Sequence, residues 1–198
     1  MDREQLAVGI FRYTFPPDLA KKIVKKLNKL DSSIWMPSLV GGGHSGNIKT
    51  YIRSSESVDL FSVDSELGAL TKQFFIECIK DYSRYFDVEV RSDEGFGILK
   101  YENDDKYEYH TDSGWNSYRV ISGLIYLNPT EYSGGETHFK HFNVGVKPDV
   151  PSVVLFPSDY AYLHAAMPVT SGKKYILVTW LNDRPSDIVI HERSDKCQ

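Results

Sequence analysis

Val120-Ile121-Ser122-Gly123-Leu124-Ile125-Tyr126-Leu127, closed by Asn128-Pro129, reads as a β-strand ending in a turn. Four runs of similar texture surround it: 96–101, 137–142, 153–156 and 175–181. Their separators are Asn103-Asp104-Asp105, Ser133-Gly134-Gly135, Pro148-Asp149 and Ser171-Gly172, all turn formers. Earlier in the chain the rhythm is helical. Pro16-Pro17-Asp18 precedes Leu19, Ile23, Leu27 and Leu30, which lie on one helical face. Asp64 is positioned to cap a second helix, which carries Leu67, Leu70, Phe74, Cys78 and Tyr82 on one side and runs to about residue 85. Helices first and short strands afterwards predict an α+β fold with a β-sandwich or barrel core. One domain is expected over 1–198: a helical part to about 90, a β core over about 91–182 and a polar tail over 183–198.

At 198 residues the chain can bury a core without disulfides. Its 23 basic and 27 acidic residues leave a net charge of −4, so the basic footprint of a nucleic-acid binder is missing. Tyr dominates the aromatics, with 13 Tyr against 10 Phe and 3 Trp. Tyrosine combines apolar bulk with a polar tip, which suits strands around a polar-lined pocket. Cys78 and Cys197 make no disulfide framework and fit a reducing compartment. The N-terminus lacks the apolar core of a secretory signal, and no run approaches the ~20 apolar residues of a membrane span. A cytoplasmic protein with no membrane partner is therefore expected. The lysines at 21, 22, 25, 26 and 29 read as the solvated face of the first helix.

Gly41-Gly42-Gly43-His44-Ser45-Gly46 matches a dinucleotide fingerprint literally. The sequence after it alternates like a strand and has no helix start, so it reads as a glycine loop. His110-Thr111-Asp112 is more informative. On a strand, residues i and i+2 share a face, so this imidazole and carboxylate converge. His164, after the apolar run at 153–156 and a turn, is the natural third ligand. Two histidines and one carboxylate occupy one face of an octahedron and suit non-haem Fe(II). Lys174 shares parity with Trp180, and a lysine directed into a tyrosine- and tryptophan-lined pocket needs an anionic partner such as a dicarboxylate. Alternatively, Lys173 and Lys174 form a solvated turn beside Gly172.

Over about 50–182 the chain resembles the prolyl 4-hydroxylases, within the 2-oxoglutarate- and Fe(II)-dependent dioxygenases. The matching segments begin with Tyr101 and Tyr107-Glu108-Tyr109-His110-Thr111-Asp112, then Gly123-Leu124-Ile125-Tyr126-Leu127-Asn128 and Gly134-Gly135-Glu136-Thr137. Leu155-Phe156-Pro157-Ser158, His164, Pro168-Val169, Gly172 and Lys174 complete the order, and Arg53-Ser54-Ser55 resembles the N-terminal part. The resemblance implies a double-stranded β-helix (jelly-roll, cupin-like) core with supporting N-terminal helices. It implies His110, Asp112 and His164 as iron ligands, and Lys174 as partner of the distal 2-oxoglutarate carboxylate. Tyr126 would donate to or beside that carboxylate, while Tyr101 and Trp180 would lie near the site. The implied activity is hydroxylation of a prolyl residue in a peptide or protein, using O2 and converting 2-oxoglutarate to succinate and CO2. Ascorbate is the implied reductant, and a monomer or homodimer in a bacterial or virus-infected cell is expected.

Some residues depart from the family pattern. His138 follows Gly134-Gly135-Glu136-Thr137, where relatives often carry an apolar or aromatic residue. His138 and His141 are three apart, face opposite sides of a strand and cannot chelate together. Lys173 competes with Lys174, and parity with Trp180 favours Lys174. His191 falls in the polar tail. Segments 41–50 and 102–109 are candidate lids. Alternatives are the same chemistry on another amino acid, a small molecule or a nucleobase, a non-catalytic cupin-like module, or a zinc hydrolase. Base-repair relatives usually carry arginine where this chain has Trp180, and the H-E-x-x-H context of a zinc hydrolase is missing.

Overall fold

A computed structural model of the chain describes residues 2–39, 51–114 and 117–185. The hairpin β1 (Arg3–Ala7) and β2 (Ile10–Thr14) is followed by α1 (Pro17–Leu27), β3 (Met36–Pro37), β4 (Glu56–Asp59), α2 (Leu60–Val63) and α3 (Ser65–Phe86). Next come β5 (Ser92–Asp93), β6 (Gly97–Tyr101), β7 (Tyr107–His110), β8 (Arg119–Tyr126), β9 (Tyr132–Gly134) and β10 (Thr137–Phe139). The last elements are β11 (Val144–Val146), β12 (Ser152–Pro157), β13 (His164–Ala166), β14 (Val169–Gly172) and β15 (Lys174–Asn182). The large sheet runs β1-β2-β12-β8-β15-β6-β4-β3, with β5 on the end of β15. A second sheet runs β11-β10-β13-β7, and β14 pairs with β9. These antiparallel sheets, backed by helices on one side, form the expected double-stranded β-helix.

Strand alternation divides the large sheet into two faces. Ile121 and Ile125 of β8, Val153 and Leu155 of β12, and Tyr175, Leu177 and Leu181 of β15 pack in one core with the helices. The intervening Leu124, Tyr126, Val154, Phe156, Ile176 and Val178 pack in the other, toward the second sheet. The helices thus fix one face of the sheet, and the other is left to build a site.

Helix α3 begins where its sequence requires. The Asp64 carboxylate accepts from the Leu67 N–H at 3.2 Å, satisfying one of the free first-turn donors. The helix ends at Asp87, whose φ of 52° is left-handed. Its buried face comprises Gly68, Thr71, Phe75, Cys78 and Tyr82. Of the expected stripe, Cys78 and Tyr82 are buried, Leu67 and Phe74 are partly buried against the same core, and Leu70 is 43% exposed. The Phe75 ring occupies the space over Gly123: a Cβ there would lie 2.4 Å from Cζ of Phe75.

The N-terminal third is less helical than expected. β2 carries Phe11 and Tyr13 on the helix-side face and Ile10 on the other, so its alternation runs only from Phe11 to Thr14, too short to announce a strand. It pairs with β12 from Thr14↔Ser152 to Phe11↔Leu155. The hairpin turn is held by two tyrosines: Tyr82 donates to the Gly9 carbonyl at 2.7 Å and Tyr162 to that of Val8 at 3.0 Å. β3 and β4 add the opposite edge, with β4 on β6. The glycine loop at 41–46 with His44, and the tail residues His191 and Cys197, lie outside the described residues. No described helix is long and apolar enough to cross a membrane.

Candidate active site

The inner face of β15 carries Lys174, Ile176, Val178 and Trp180, and these residues line one cavity. Ser122 and Leu124 of β8, Leu99 and Tyr101 of β6, and Thr137 of β10 complete much of its wall. His110, Asp112 and His164 stand in the same cavity. Their ligating atoms lie within 4.8 Å of one another. Asp112 Oδ1 is 3.7 Å from His110 Nε2, and Asp112 Oδ2 is 3.6 Å from His164 Nε2.

The two imidazoles are oriented alike. His110 Nδ1–H donates to the Glu108 carbonyl at 2.8 Å, and His164 Nδ1–H to that of Tyr162 at 3.0 Å. A carbonyl accepts only, so each Nδ1 carries a proton, and each Nε2 is the ring nitrogen that faces Asp112. β13 pairs with β7 so that His164 stands opposite His110. Burial, followed by the neighbouring His164, pushes the His110 imidazole well below its usual pKa, against the pull of Asp112. Burial pushes the Asp112 carboxyl up. The two imidazoles, the Ser122 hydroxyl and the Trp180 indole N–H outweigh it, so the net direction is down. Two imidazoles and a carboxylate, all aimed at one point, are a donor set that fits Fe(II).

The convergence does not come from strand parity, as the sequence suggested. β7 ends at His110, and Asp112 lies beyond it in a bend. Polar contacts turn the carboxylate inward instead. Ser122 Oγ donates to Asp112 Oδ2 at 2.6 Å and shares a 2.8 Å bond with Ser158 Oγ. The Ser113 N–H donates to the Ser158 carbonyl at 2.8 Å, and Arg119 Nη1 to the Asp112 carbonyl at 3.1 Å.

Lys174 is 1% exposed, and its Nζ donates to the Gly135 carbonyl at 2.7 Å. Its ammonium lies 5.2 Å from the Tyr101 ring centre, 5.4 Å from that of Tyr126 and 6.0 Å from that of Tyr132. Among the described residues no carboxylate lies within ion-pair distance of it. Burial first, then Lys147, drive its pKa down from 10.5 to about 7, while Glu136 acts the other way. A buried cation without a counter-ion at the opposite end of β15 from Trp180 fits a dicarboxylate held by both the metal end and the lysine end. Lys173 instead pairs with Glu102 at 3.5 Å with its side chain 42% exposed.

Tyr101 and Trp180 line the cavity as expected. Tyr126 shares the inner face with Ser122 and Leu124, yet it is not a wall residue, and its hydroxyl donates to Thr137 Oγ1 at 2.6 Å. Thr137 therefore presents to the cavity what Tyr126 supports from behind. His138 and His141 lie outside the site. His138 is half-buried and shares a 2.7 Å hydrogen bond with the Tyr109 hydroxyl, and His141 is exposed. Segment 102–109, expected as a lid, is tied down: Asp104 N–H donates to the Val169 carbonyl, Val169 N–H to that of Asp105, and residues 107–110 form β7.

Arg53, Tyr107, Ser122 and Thr137 also line the cavity and had no assigned role from sequence. Tyr107 stacks on His110 with centroids 3.6 Å apart and planes 18° from parallel. The Arg53 guanidinium lies 4.7 Å from the Tyr107 ring centre and donates to the Leu39 carbonyl and Ser55 Oγ. The spacing of Tyr107 and His110 offered a weak signal. Arg53 reaches the site only through a bridge to Tyr107 that no local pattern announces.

Residues 96–182 match the family model of the 2OG-Fe(II) oxygenase superfamily. Prolyl 4-hydroxylase 13 of Arabidopsis thaliana is 32% identical over 123 residues, covering 48% of this chain and 44% of that protein. The chain spans about half the length of the curated relatives it matches. Among solved structures, a Trichoplax adhaerens prolyl hydroxylase in complex with a hypoxia inducible factor peptide superposes with a TM-score of 0.73 at 17% identity, over 88% of this chain and 84% of that one. A viral collagen prolyl hydroxylase from Paramecium bursaria Chlorella virus-1, in its 2OG complex, gives 0.67 at 17% identity, over 89% and 97%. Over residues 96–182 the chain thus matches the 2OG-Fe(II) oxygenase superfamily model, and it is similar in sequence and in fold to prolyl hydroxylases.

Proposed function

We propose that this chain is a 2-oxoglutarate- and Fe(II)-dependent dioxygenase that hydroxylates a prolyl residue in a peptide or protein. The observation that carries the reading is one cavity with His110, Asp112 and His164 at one end and the buried, carboxylate-free Lys174 at the other. His110 Nε2, His164 Nε2 and the Asp112 carboxylate would hold Fe(II). With 2-oxoglutarate beside it, such an iron would supply the oxidising power to put one oxygen atom of O2 on the substrate and the other on succinate, with release of CO2.

The protein's own share is positioning and exclusion of water. Lys174 pairs with the distal carboxylate of 2-oxoglutarate, and that anion restores the charge of an ammonium that burial disfavours. Tyr101 presents its hydroxyl beside the cosubstrate, while Leu99, Ile176 and Val178 form apolar walls. Tyr126 acts through Thr137. His164, His110 and Ser122, with a smaller share from Trp180, favour the ionised Asp112 carboxylate against burial. Arg53 and Tyr107 bring a cation and an aromatic face to the site, suited to a peptide backbone and a prolyl ring. Ascorbate serves as reductant, and the protein works as a monomer or homodimer in the cytoplasm, without a nucleic-acid partner. Relatives from a mimivirus and from bacteria are consistent with that placement.

The test is purified protein with Fe(II), 2-oxoglutarate, ascorbate and proline-containing peptides, read for succinate and for one added oxygen by mass spectrometry. Succinate release and oxygen gain, both abolished by His110→Ala, are expected. Succinate without oxygen gain on any peptide refutes the prolyl assignment. Absence of succinate with and without peptide refutes the oxygenase reading.

A further inference from the structure

We infer that Arg119 is a positioning residue for the metal-binding carboxylate, acting through a clamp with Glu94 and Trp180. The inference rests on the proposed metal-dependent reading. Two of the three ligands stand on strands, His110 on β7 and His164 on β13, whereas Asp112 stands in a bend. The strand ladders therefore fix the histidines and leave the carboxylate to be fixed by side chains.

Arg119, the first residue of β8, engages three partners at once. Nη1 donates to the Asp112 carbonyl at 3.1 Å. Nε and Nη2 donate to the two carboxylate oxygens of Glu94 at 2.7 and 2.5 Å. The guanidinium lies 3.9 Å from the Trp180 ring centre. Trp180 lines the same cavity as Asp112, and its carbonyl accepts the Glu94 N–H at 3.0 Å. Asp112 is thus gripped at its backbone carbonyl by Arg119, and the arginine is itself held by the Glu94 carboxylate and the Trp180 ring, which are tied to each other.

A partly exposed ion pair contributes little to stability by itself. The planar fork is nonetheless committed to fixed directions, which a point-charge ammonium cannot reproduce. The clamp therefore sets the direction of the carboxylate. Supporting contacts of this kind typically govern metal affinity by about 10–100-fold.

The test uses Arg119→Lys and Glu94→Gln, with Arg3→Lys as a matched control. Arg3 likewise pairs with an acid, Asp81 at 3.1 Å, and lies 4.7 Å from the Tyr85 ring centre, but it touches no cavity residue. Mn(II) is titrated into each metal-free protein and free ion is read by electron paramagnetic resonance. The KM for 2-oxoglutarate is then measured at saturating metal. Arg119→Lys is expected to weaken Mn(II) at least tenfold, about 1.4 kcal/mol, with that KM within about twofold. Glu94→Gln, which keeps the arginine, is expected to weaken Mn(II) at least threefold. Arg3→Lys should lower Tm without moving Mn(II) affinity. If Arg119→Lys does not fold, Glu94→Gln decides. Mn(II) affinity unchanged in the folded variants, or shifted equally by Arg3→Lys, overturns the clamp. Wild-type protein that binds Mn(II) no better than His110→Ala overturns the metal reading, and the clamp with it.

Discussion

Replacing Lys174 with methionine should make the metal-free protein more stable and its cosubstrate weaker, two effects of opposite sign from one side chain. Burial holds this ammonium at a pKa of about 7 instead of 10.5. That difference, 10.5 − 7 = 3.5, at about 1.4 kcal/mol per unit, disfavours folding by about 4–5 kcal/mol near pH 7. Methionine keeps most of the stem volume but orphans the Gly135 carbonyl, which costs about 1–3 kcal/mol. The net gain is about 2 kcal/mol, or roughly 4–8 °C in Tm for a chain of this length. The sign follows from linkage: between the folded and unfolded pKa values the unfolded chain holds the proton, so wild-type stability rises with pH. By about pH 9 the remaining difference is 10.5 − 9 = 1.5, about 2 kcal/mol, and the advantage of methionine is nearly gone. Loss of a buried charge pairing should meanwhile raise the KM for 2-oxoglutarate by about thirtyfold or more, about 2 kcal/mol. The assays are circular-dichroism melts at both pH values and succinate kinetics. A variant that melts below wild type near pH 7 and keeps its KM would refute both the buried-cation argument and the assignment of Lys174.

Three further outcomes are expected. Cosubstrate binding at about pH 8 should take up close to one proton as Lys174 regains its charge; calorimetry in buffers of different ionisation enthalpy reads this, and no uptake contradicts it. Tyr126→Phe removes the donor to Thr137, so the KM for 2-oxoglutarate should stay within about threefold while stability falls by about 1 kcal/mol; a tenfold rise in KM would place the hydroxyl directly on the cosubstrate. Gly123→Ala drives a Cβ into the Phe75 ring, and melts should show a loss of about 1–3 kcal/mol unless that ring can move aside at no cost.

The parts of this protein legible in sequence are those encoded locally. Asp64 caps α3 through the N–H three residues on, and β8, β12 and β15 are dense apolar runs bounded by turn formers. The Lys174–Trp180 parity held because both lie on one uninterrupted strand. His110 and Asp112 were paired correctly for an incomplete reason: the strand stops between them, and serines at 122 and 158 do what alternation was expected to do. β2 is hard to read because its alternation covers only Phe11 to Thr14. Arg53 and Arg119 were silent because the partners that place them, Tyr107 for one and Glu94 and Trp180 for the other, lie far along the chain, where charge and aromatic character carry no mark of proximity.

The hairpin at the start of the chain has a consequence for biosynthesis. Its ladder partner β12 begins at Ser152, opposite Thr14, a separation of 152 − 14 = 138 residues. During vectorial synthesis β2 leaves the ribosome with Ile10, Phe11 and Tyr13 uncovered, and that ladder cannot close until β12 emerges. At roughly 5–20 residues per second, the wait is on the order of ten seconds or more. Over that interval an apolar strand edge is open to intermolecular pairing, so chaperone supply and translation speed should govern the yield of native protein more than equilibrium stability does.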